Sequence, residues 1–530
     1  MCINIFFEIY LSIRCLIQNK QIMISPYILL FTGSLLITVV LLKIFGQKFS
    51  LDHPNVRKHH DGVISQIGGI IFGPLLLFIS WWSGLAPHWY IIGGAVSILL
   101  GAVDDNRHVP WQIKFAIQLA LAAYISMIFW GRFEDITFYN LSLSISQIGL
   151  LAIFLFWFIG IYNAVNLLDG LDGLAGGFML LLCLGVGLSG SGPFATLNLI
   201  FAVILLGFLV FNQRPAKLFM GDAGSLFLGF HTAVLPLLFL ETTPSVNTLN
   251  MTPFVLFASY LIADTTRVFF TRILSKKSPM TADTIHFHHI VLQQSGSYLY
   301  SIGSIFFVAS LSFIGAIISI HSNLSTNVMV IHLGALLFFI LMPPVETYVP
   351  LVRRGLAPLY NWQKSQKVSS PFFFRTLFMI LLFIGLIVSL SFNFNLTAMI
   401  TWWQHGLAIL LLFIFIFFYR KDQMTRYAIQ LGLVLFFAEF YWNNEFDIFT
   451  KLLTTFLLLS CLVFFLEKRT GSNISKFSVL DLLMIFTTFG GGILALLNYT
   501  VSIWNFLTIT SIWFSTAFIL RRTIFFTPKT

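Results

Sequence analysis

The sequence predicts an all-α, polytopic membrane helix bundle, and three observations carry that prediction. Hydrophobic residues fill 58% of its 530 positions. Charged residues fill only 9%, against roughly 25% in soluble domains. Apolar runs of about 20 residues, the length that crosses a bilayer, follow one another almost to the C-terminus. An ordinary soluble enzyme is thereby excluded. The net charge of +10 belongs to loop topology and contact with anionic membrane lipid, because no basic soluble face is gathered for nucleic acid. Cys2 and Cys15 near the N-terminus, and Cys183 and Cys461 inside apolar runs, form neither a disulfide framework nor a metal spacing.

Residues 1–22, interrupted by Glu8 and Arg14, are an N-terminal segment not counted as a span: it reads as an interfacial helix or as the product of a start assigned upstream of Met23. A first domain over 23–348 should hold about 11 helices. They are expected near 26–46, 68–86, 88–103, 111–130, 143–162, 174–191, 194–211, 219–240, 253–273, 299–320 and 328–348. A basic linker at 349–370 then leads to a transmembrane extension at 371–530 with about 6 more helices. The extension is rich in Phe, Leu and Ile. Its internal acids, Glu439 and Asp481, read as helix-end residues, and it carries no motif for chemistry.

Lys and Arg stay preferentially on the cytoplasmic side, which orients the helices. The loops after odd-numbered helices hold Lys48, Arg57, Lys58, Arg107, Lys114, Arg214, Lys217, Arg267, Arg272, Lys276 and Lys277, against Arg132 alone on the other side. The acids follow the same face: Asp52, Asp61, Asp104, Asp105, Asp169, Asp172, Asp222, Asp264 and Asp283. Asp and Glu have little say in orientation, so this second bias calls for a site.

The stretch NAVNLLDGLDGLAGG, from Asn163 to Gly177, puts Asn163, Asn166, Asp169 and Asp172 at three-residue intervals between two apolar runs. Polar groups at a membrane boundary read either as a hydrophilic turn or as a site, and interleaved glycines let backbone approach a ligand. Asp104 and Asp105 close the third helix. Alone they read as solvated loop acids; together with a third carboxylate they can collect a hard cation. Asp222, in FMGDAGSL, begins an apolar helix where a charge needs a partner, and Asn212 and Lys217 lie just before it. In ADTIHFHH, Asp283, His286, His288 and His289 suit hydrogen bonding to a diphosphate. A solvated turn is the plain alternative there, and a three-histidine zinc site, with no Cys nearby, is a second.

Taken in order, the DHPNVRKHH stretch from Asp52 to His60, the aspartate pair, NAVNLLDGLDGLAGG, FMGDAGSL and ADTIHFHH resemble the polyprenyl-phosphate N-acetylhexosamine-1-phosphate transferase family (glycosyltransferase family 4) over about 25–348. The resemblance implies a multi-pass enzyme of the bacterial inner membrane with its active site on the cytoplasmic face. Its members transfer N-acetylhexosamine 1-phosphate from a UDP-sugar to undecaprenyl phosphate, release UMP and require Mg²⁺ or Mn²⁺. Carried over residue by residue, Asp222 is the principal metal ligand, assisted by Asp104 or Asp105, while the other member of the pair engages the lipid phosphate. Asn163, Asn166, Asp169 and Asp172 line the nucleotide and metal side, with Asn166 in the metal set. Asn212 and Lys217 stand near Asp222, Arg57 and Lys58 hold phosphate charge, and His286, His288 and His289, beside Asp283, bind diphosphate or sugar.

Where the family often has Pro and Arg before the GG of the second helix, this chain has Ser65 and Gln66. HFHH looks more like the branch using UDP-N-acetylglucosamine than the branch using UDP-N-acetylmuramoyl-pentapeptide. GlcNAc-1-phosphate transfer starting a lipid-linked envelope glycan, such as O-antigen or teichoic acid, is therefore the expected activity. The peptidoglycan reaction, a transporter and a catalytically impaired scaffold are the alternatives, and a homodimer is compatible with the sequence. A transporter would set ionisable groups near the bilayer midplane; here they keep to one face.

Overall fold

The computed structural model describes residues 25–46, 51–52, 63–139, 141–242, 248–276, 278, 285–295, 298–321, 332, 333 and 483. Of the expected helix at 328–348, the 349–370 linker and the C-terminal extension, the structure describes residues 332, 333 and 483 alone. Within them the chain is an all-α bundle: α1 Ser25–Phe45, α2 Gly68–Trp82, α3 His88–Arg107, α4 Trp111–Ile128, α5 Gln147–Leu168, α6 Leu174–Ser189, α7 Gly192–Asn212, α8 Gly221–Glu241, α9 Thr252–Phe257, α10 Ser259–Leu274, α11 Phe287–Ser295 and α12 Tyr298–His321. Among the described residues, five helices are long and apolar enough to cross a membrane.

The expected helix at 253–273 is two pieces, α9 and α10, interrupted at Ala258. The charged stretch from Asp264 to His289 is largely helical at its two ends, since α10 runs to Leu274 and α11 begins at Phe287. Strands appear where only loops were expected. β1 Leu51–Asp52 pairs with β2 Ile64–Ser65, and β3 Asp135–Phe138 lies between antiparallel β4 Leu141–Ser144 and parallel β5 Thr248–Asn250. Short strands close the backbone hydrogen bonds of connections that helices cannot close.

Helix α8 is the axis of the bundle: it packs on α2, α3 and α5, and nearly all its residues are buried. Lipid tails are as apolar as Leu, so helices in a bilayer associate through close packing rather than through water exclusion. Small residues permit that approach here. A Cβ at Gly69 would stand 2.0 Å from the amide nitrogen of Gly224, and one at Gly229 would stand 2.4 Å from the Tyr162 carbonyl oxygen. The start of α2 is further tied to the chain entering α8, since the Gly68 and Gly69 amides donate to the carbonyls of Phe219 and Met220 at 2.9 and 2.8 Å.

Gly101 of α3 makes the most consequential approach. A Cβ there would meet the Asp222 carbonyl oxygen and the Ala223 nitrogen at 2.3 Å. Both obstacles are backbone, so no rotamer change relieves them. Gly→Ala inside a helix gains about 1 kcal/mol in propensity, but overpacking of this kind costs roughly 1–3 kcal/mol and displaces the first turn of α8. Gly101→Ala is therefore expected to lower the thermal unfolding midpoint in detergent, and an unchanged or raised midpoint would contradict the packing described.

Candidate active site

The up-and-down order of the helices brings the C-terminal ends of α3, α5, α7 and α10 and the N-terminal ends of α2, α4, α6, α8 and α11 to one end of the bundle. That end carries the polar motifs. The aspartate pair does not follow α3 but lies within its last turn, and Asn163 and Asn166 likewise belong to the last turns of α5. Only Asp169 to Gly173 leave the helix, with Gly173 at a φ of 73° preceding α6.

Asp104 and Asp105 are neighbours in the chain with different partners. Asp104 is buried, and its carboxyl lies beside the carboxyl of Asp222. Its Oδ2 also accepts from Lys114 Nζ of α4 at 2.6 Å, and its Oδ1 accepts from the Val109 amide at 2.6 Å. Asp105 instead accepts from the backbone amides of Asp222 (2.7 Å) and Ala223 (3.1 Å). One turn along α8, the Ser225 hydroxyl donates to Asn166 Oδ1 at 2.5 Å. The carboxyls of Asp104 and Asp222 thus meet at the start of α8, with Asn166 held on Ser225 one turn along.

Two carboxyl groups touch only when a proton or a cation shares the space between them. The donor set therefore suits a hard cation. Among the described residues no three His, Cys, Asp or Glu side chains group as a metal site, so an ion here would draw on the two carboxylates of Asp104 and Asp222. That partial set matches Mg²⁺, which commonly takes one or two carboxylates from protein and the rest from phosphate and water.

Other expected site residues serve as braces. Asn163 is engaged with Gln118 of α4: its Nδ2 donates to Gln118 Oε1 at 2.8 Å and to the Ile159 carbonyl at 2.8 Å, and its Oδ1 accepts from Gln118 Nε2 at 3.2 Å. Asn212 accepts from the Gly173 amide at 2.9 Å and donates to the Leu218 carbonyl at 2.9 Å. Asp172 accepts from the Ala216 amide at 3.2 Å, so the Asp169–Gly173 turn is bound both to the end of α7 and to the loop before α8. Asp169 caps the end of α5 with its backbone and is exposed, as is Lys217. Arg57, Lys58 and Asp283 lie outside the described residues.

The histidines stand on a buried ion pair that the motif did not reveal. Asp264 Oδ1 accepts from Arg267 Nη2 at 2.8 Å and from the Phe287 amide at 3.0 Å, while Oδ2 accepts from His286 Nδ1 at 2.9 Å. Arg267, 2% exposed, also donates to the Ile285 carbonyl at 2.5 Å. Asp264 therefore seats the start of α11. The signal was legible as Asp and Arg three apart in an apolar helix, a pairing spacing. Lys114, Gln118 and Ser225 carried no comparable pattern.

His288 is buried, and among the described residues neither of its ring nitrogens has a hydrogen-bond partner, nor has His286 Nε2. The His288 ring lies against the aspartate turn, where a Cβ on Gly170 would be 2.4 Å from its Nε2. Buried polar atoms are nearly always hydrogen-bonded, so these nitrogens suit a water, an ion or a ligand as partner. Burial, with His289 beside it, pushes the His288 imidazole down to about 3, so it is neutral at pH 7. Its folded pKa lies below the unfolded value, so the unfolded chain takes up the proton first. Stability is unaffected above about pH 6.5 and falls by about 2 kcal/mol on acidification to about pH 5. His288→Asn is expected to remove that part of the pH dependence in detergent unfolding; an identical pH slope in the variant would refute it.

Fold and site together define a multi-pass membrane protein with an oxygen-rich polar cluster at one end of its bundle. Residues 88–240 match the sequence profile of Glycosyl transferase family 4. The chain is 31% identical over 345 residues, 62% of its length and 93% of the relative's, to the probable undecaprenyl-phosphate N-acetylglucosaminyl 1-phosphate transferase of Bacillus subtilis. It is 30% identical over 266 residues, 48% of its length and 78% of the relative's, to the undecaprenyl-phosphate alpha-N-acetylglucosaminyl 1-phosphate transferase of Thermotoga maritima. It is also 36% identical over 230 residues, 39% and 64% of the two chains, to the phospho-N-acetylmuramoyl-pentapeptide-transferase of a Synechococcus strain. The chain belongs to glycosyl transferase family 4.

Proposed function

We propose that this protein transfers N-acetylhexosamine 1-phosphate, with GlcNAc as the sugar, from a UDP-sugar to undecaprenyl phosphate and so begins a lipid-linked envelope glycan such as O-antigen or teichoic acid. An oxygen of the lipid phosphate attacks the sugar-proximal phosphorus. The bond from that phosphorus to the oxygen bridging the two phosphates breaks, and UMP leaves with the oxygen. A phosphate monoester is largely ionised near neutral pH and needs no base to become a nucleophile.

The observation that carries this reading is the contact between Asp104 and Asp222 beside Lys114, at the bundle end that also holds the aspartate turn and His288. Asp222, Asp104 and Asn166 would hold Mg²⁺ or Mn²⁺. When bound, the ion neutralises diphosphate charge and favours departure of UMP. Lys114 keeps a positive charge on the Asp104 side of the cluster, in reach of phosphate. His288 and the free edge of His286 offer hydrogen bonds to the diphosphate or sugar. The bias of basic residues toward the loops at this end supports an orientation facing the cytoplasm, where nucleotide sugars are available.

The test is UMP release by detergent-solubilised protein given Mg²⁺, undecaprenyl phosphate and a panel of UDP-N-acetylhexosamines, with UDP-N-acetylmuramoyl-pentapeptide included. Lipid- and metal-dependent UMP from UDP-GlcNAc supports the proposal. Release only from the pentapeptide donor assigns the peptidoglycan reaction instead, and no release from any donor by folded protein removes the transferase reading.

A further inference from the structure

We infer that Asp105 is a positioning residue, which fixes Asp222 by capping the N-terminus of α8 from a neighbouring helix rather than by touching the reacting groups. This rests on the function proposed above.

The first amides of a helix have no partner within it and must find acceptors elsewhere. Such an acceptor usually comes from the residue just before the helix. Met220 occupies that place and provides no side-chain cap. Asp105 of α3 replaces it: Oδ1 takes the Asp222 amide at 2.7 Å and Oδ2 takes the Ala223 amide at 3.1 Å. Both oxygens are engaged, and both amides belong to the turn that carries the Asp222 carboxyl. A charged acceptor makes these bonds stronger than neutral ones and offsets the positive end of the helix dipole.

The surroundings are shaped for that contact. Gly221 has a φ of 68°, and a Cβ there would stand 2.5 Å from Asp105 Oδ2. Gly101, one turn before Asp105, lets the α3 backbone press on the Asp222 carbonyl and Ala223 nitrogen. Asp104, by contrast, reaches the Asp222 side chain. One member of the pair thus holds the backbone of Asp222 and the other meets its carboxyl.

The test compares Asp105→Asn with Asp105→Ala in full-length protein in detergent, by amide hydrogen exchange of the peptide spanning 221–224 without substrate or metal, and by UMP release with Mg²⁺. Asn retains one acceptor oxygen and Ala none. The expected result is strong loss of amide protection in Ala and partial loss in Asn. Asn should lower kcat by about tenfold with KM for the UDP-sugar little changed, and Ala should lower kcat by at least about a hundredfold. A metal ligand or base would instead leave the two variants equally inactive with 221–224 still protected, and that outcome overturns the inference. Unaltered kcat in Ala overturns it as well. Wild-type protein that releases no UMP refutes the proposed function alone, since the exchange comparison needs no turnover.

Discussion

Asp222→Asn is expected to reduce UMP release by about a thousandfold or more, the largest effect of any single substitution in this protein. The exchange keeps the size and shape of the side chain and removes its negative charge. Nothing in the packing of α8 depends on that charge, because the helix is held through Gly69, Gly101 and Gly229 and through apolar contacts. The variant should therefore insert and fold normally. Its thermal stability should equal or exceed that of the wild type without metal, since Asn lets the Asp104–Asp222 contact form without a shared proton. Turnover and thermal unfolding measured on the same preparation separate loss of chemistry from loss of fold. A folded variant within tenfold of wild-type turnover would remove Asp222 from the centre of the mechanism.

Arg267→Met should produce the largest loss of stability. Among the described residues the Arg267 side chain is the largest that is fully buried, and its guanidinium has partners on Asp264 and on the Ile285 carbonyl. Met fills much of the volume but leaves Asp264 with a buried charge that only His286 and the Phe287 amide address. Breaking a buried pair from one side costs about 3–5 kcal/mol. Replacing both members is far milder, so Arg267→Met with Asp264→Leu should recover much of the unfolding midpoint while activity stays low, because α11 and its histidines lose their seat. If the double variant is no more stable than the single one, the ion pair is not what Arg267 contributes.

These expectations draw unequally on the sequence. Apolar runs with few charges dictated the helices, because backbone polar groups within a bilayer have to be satisfied inside the segment. The basic loops sorted the helix ends, and the structure does bring the acidic and histidine motifs to a common end. The break at Ala258 was not legible, since apolar composition is the same on both sides of it. Nor were the strands, which are too short to show an alternating pattern.

The site shows the same division at finer scale. Motifs named which polar residues gather, because carboxylates, amides and histidines are too costly at a membrane boundary to sit there without partners. Which partner each one takes was settled only by tertiary structure. Asp104 and Asp105 look interchangeable as a pair, yet consecutive residues on a helix point about 100° apart. Packed against α8, that angle sends one to the Asp222 carboxyl and the other to its backbone amide. Asn163 and Asn166, nearly a full turn apart on α5, likewise reach different helices, Gln118 of α4 and Ser225 of α8. By itself the sequence determined the class of protein and, among the described residues, most of the helices and the polar motifs that collect at one end. The division of labour among those residues came from helix phase and from the glycine contacts that set the distance between helices, and neither is written in any single motif.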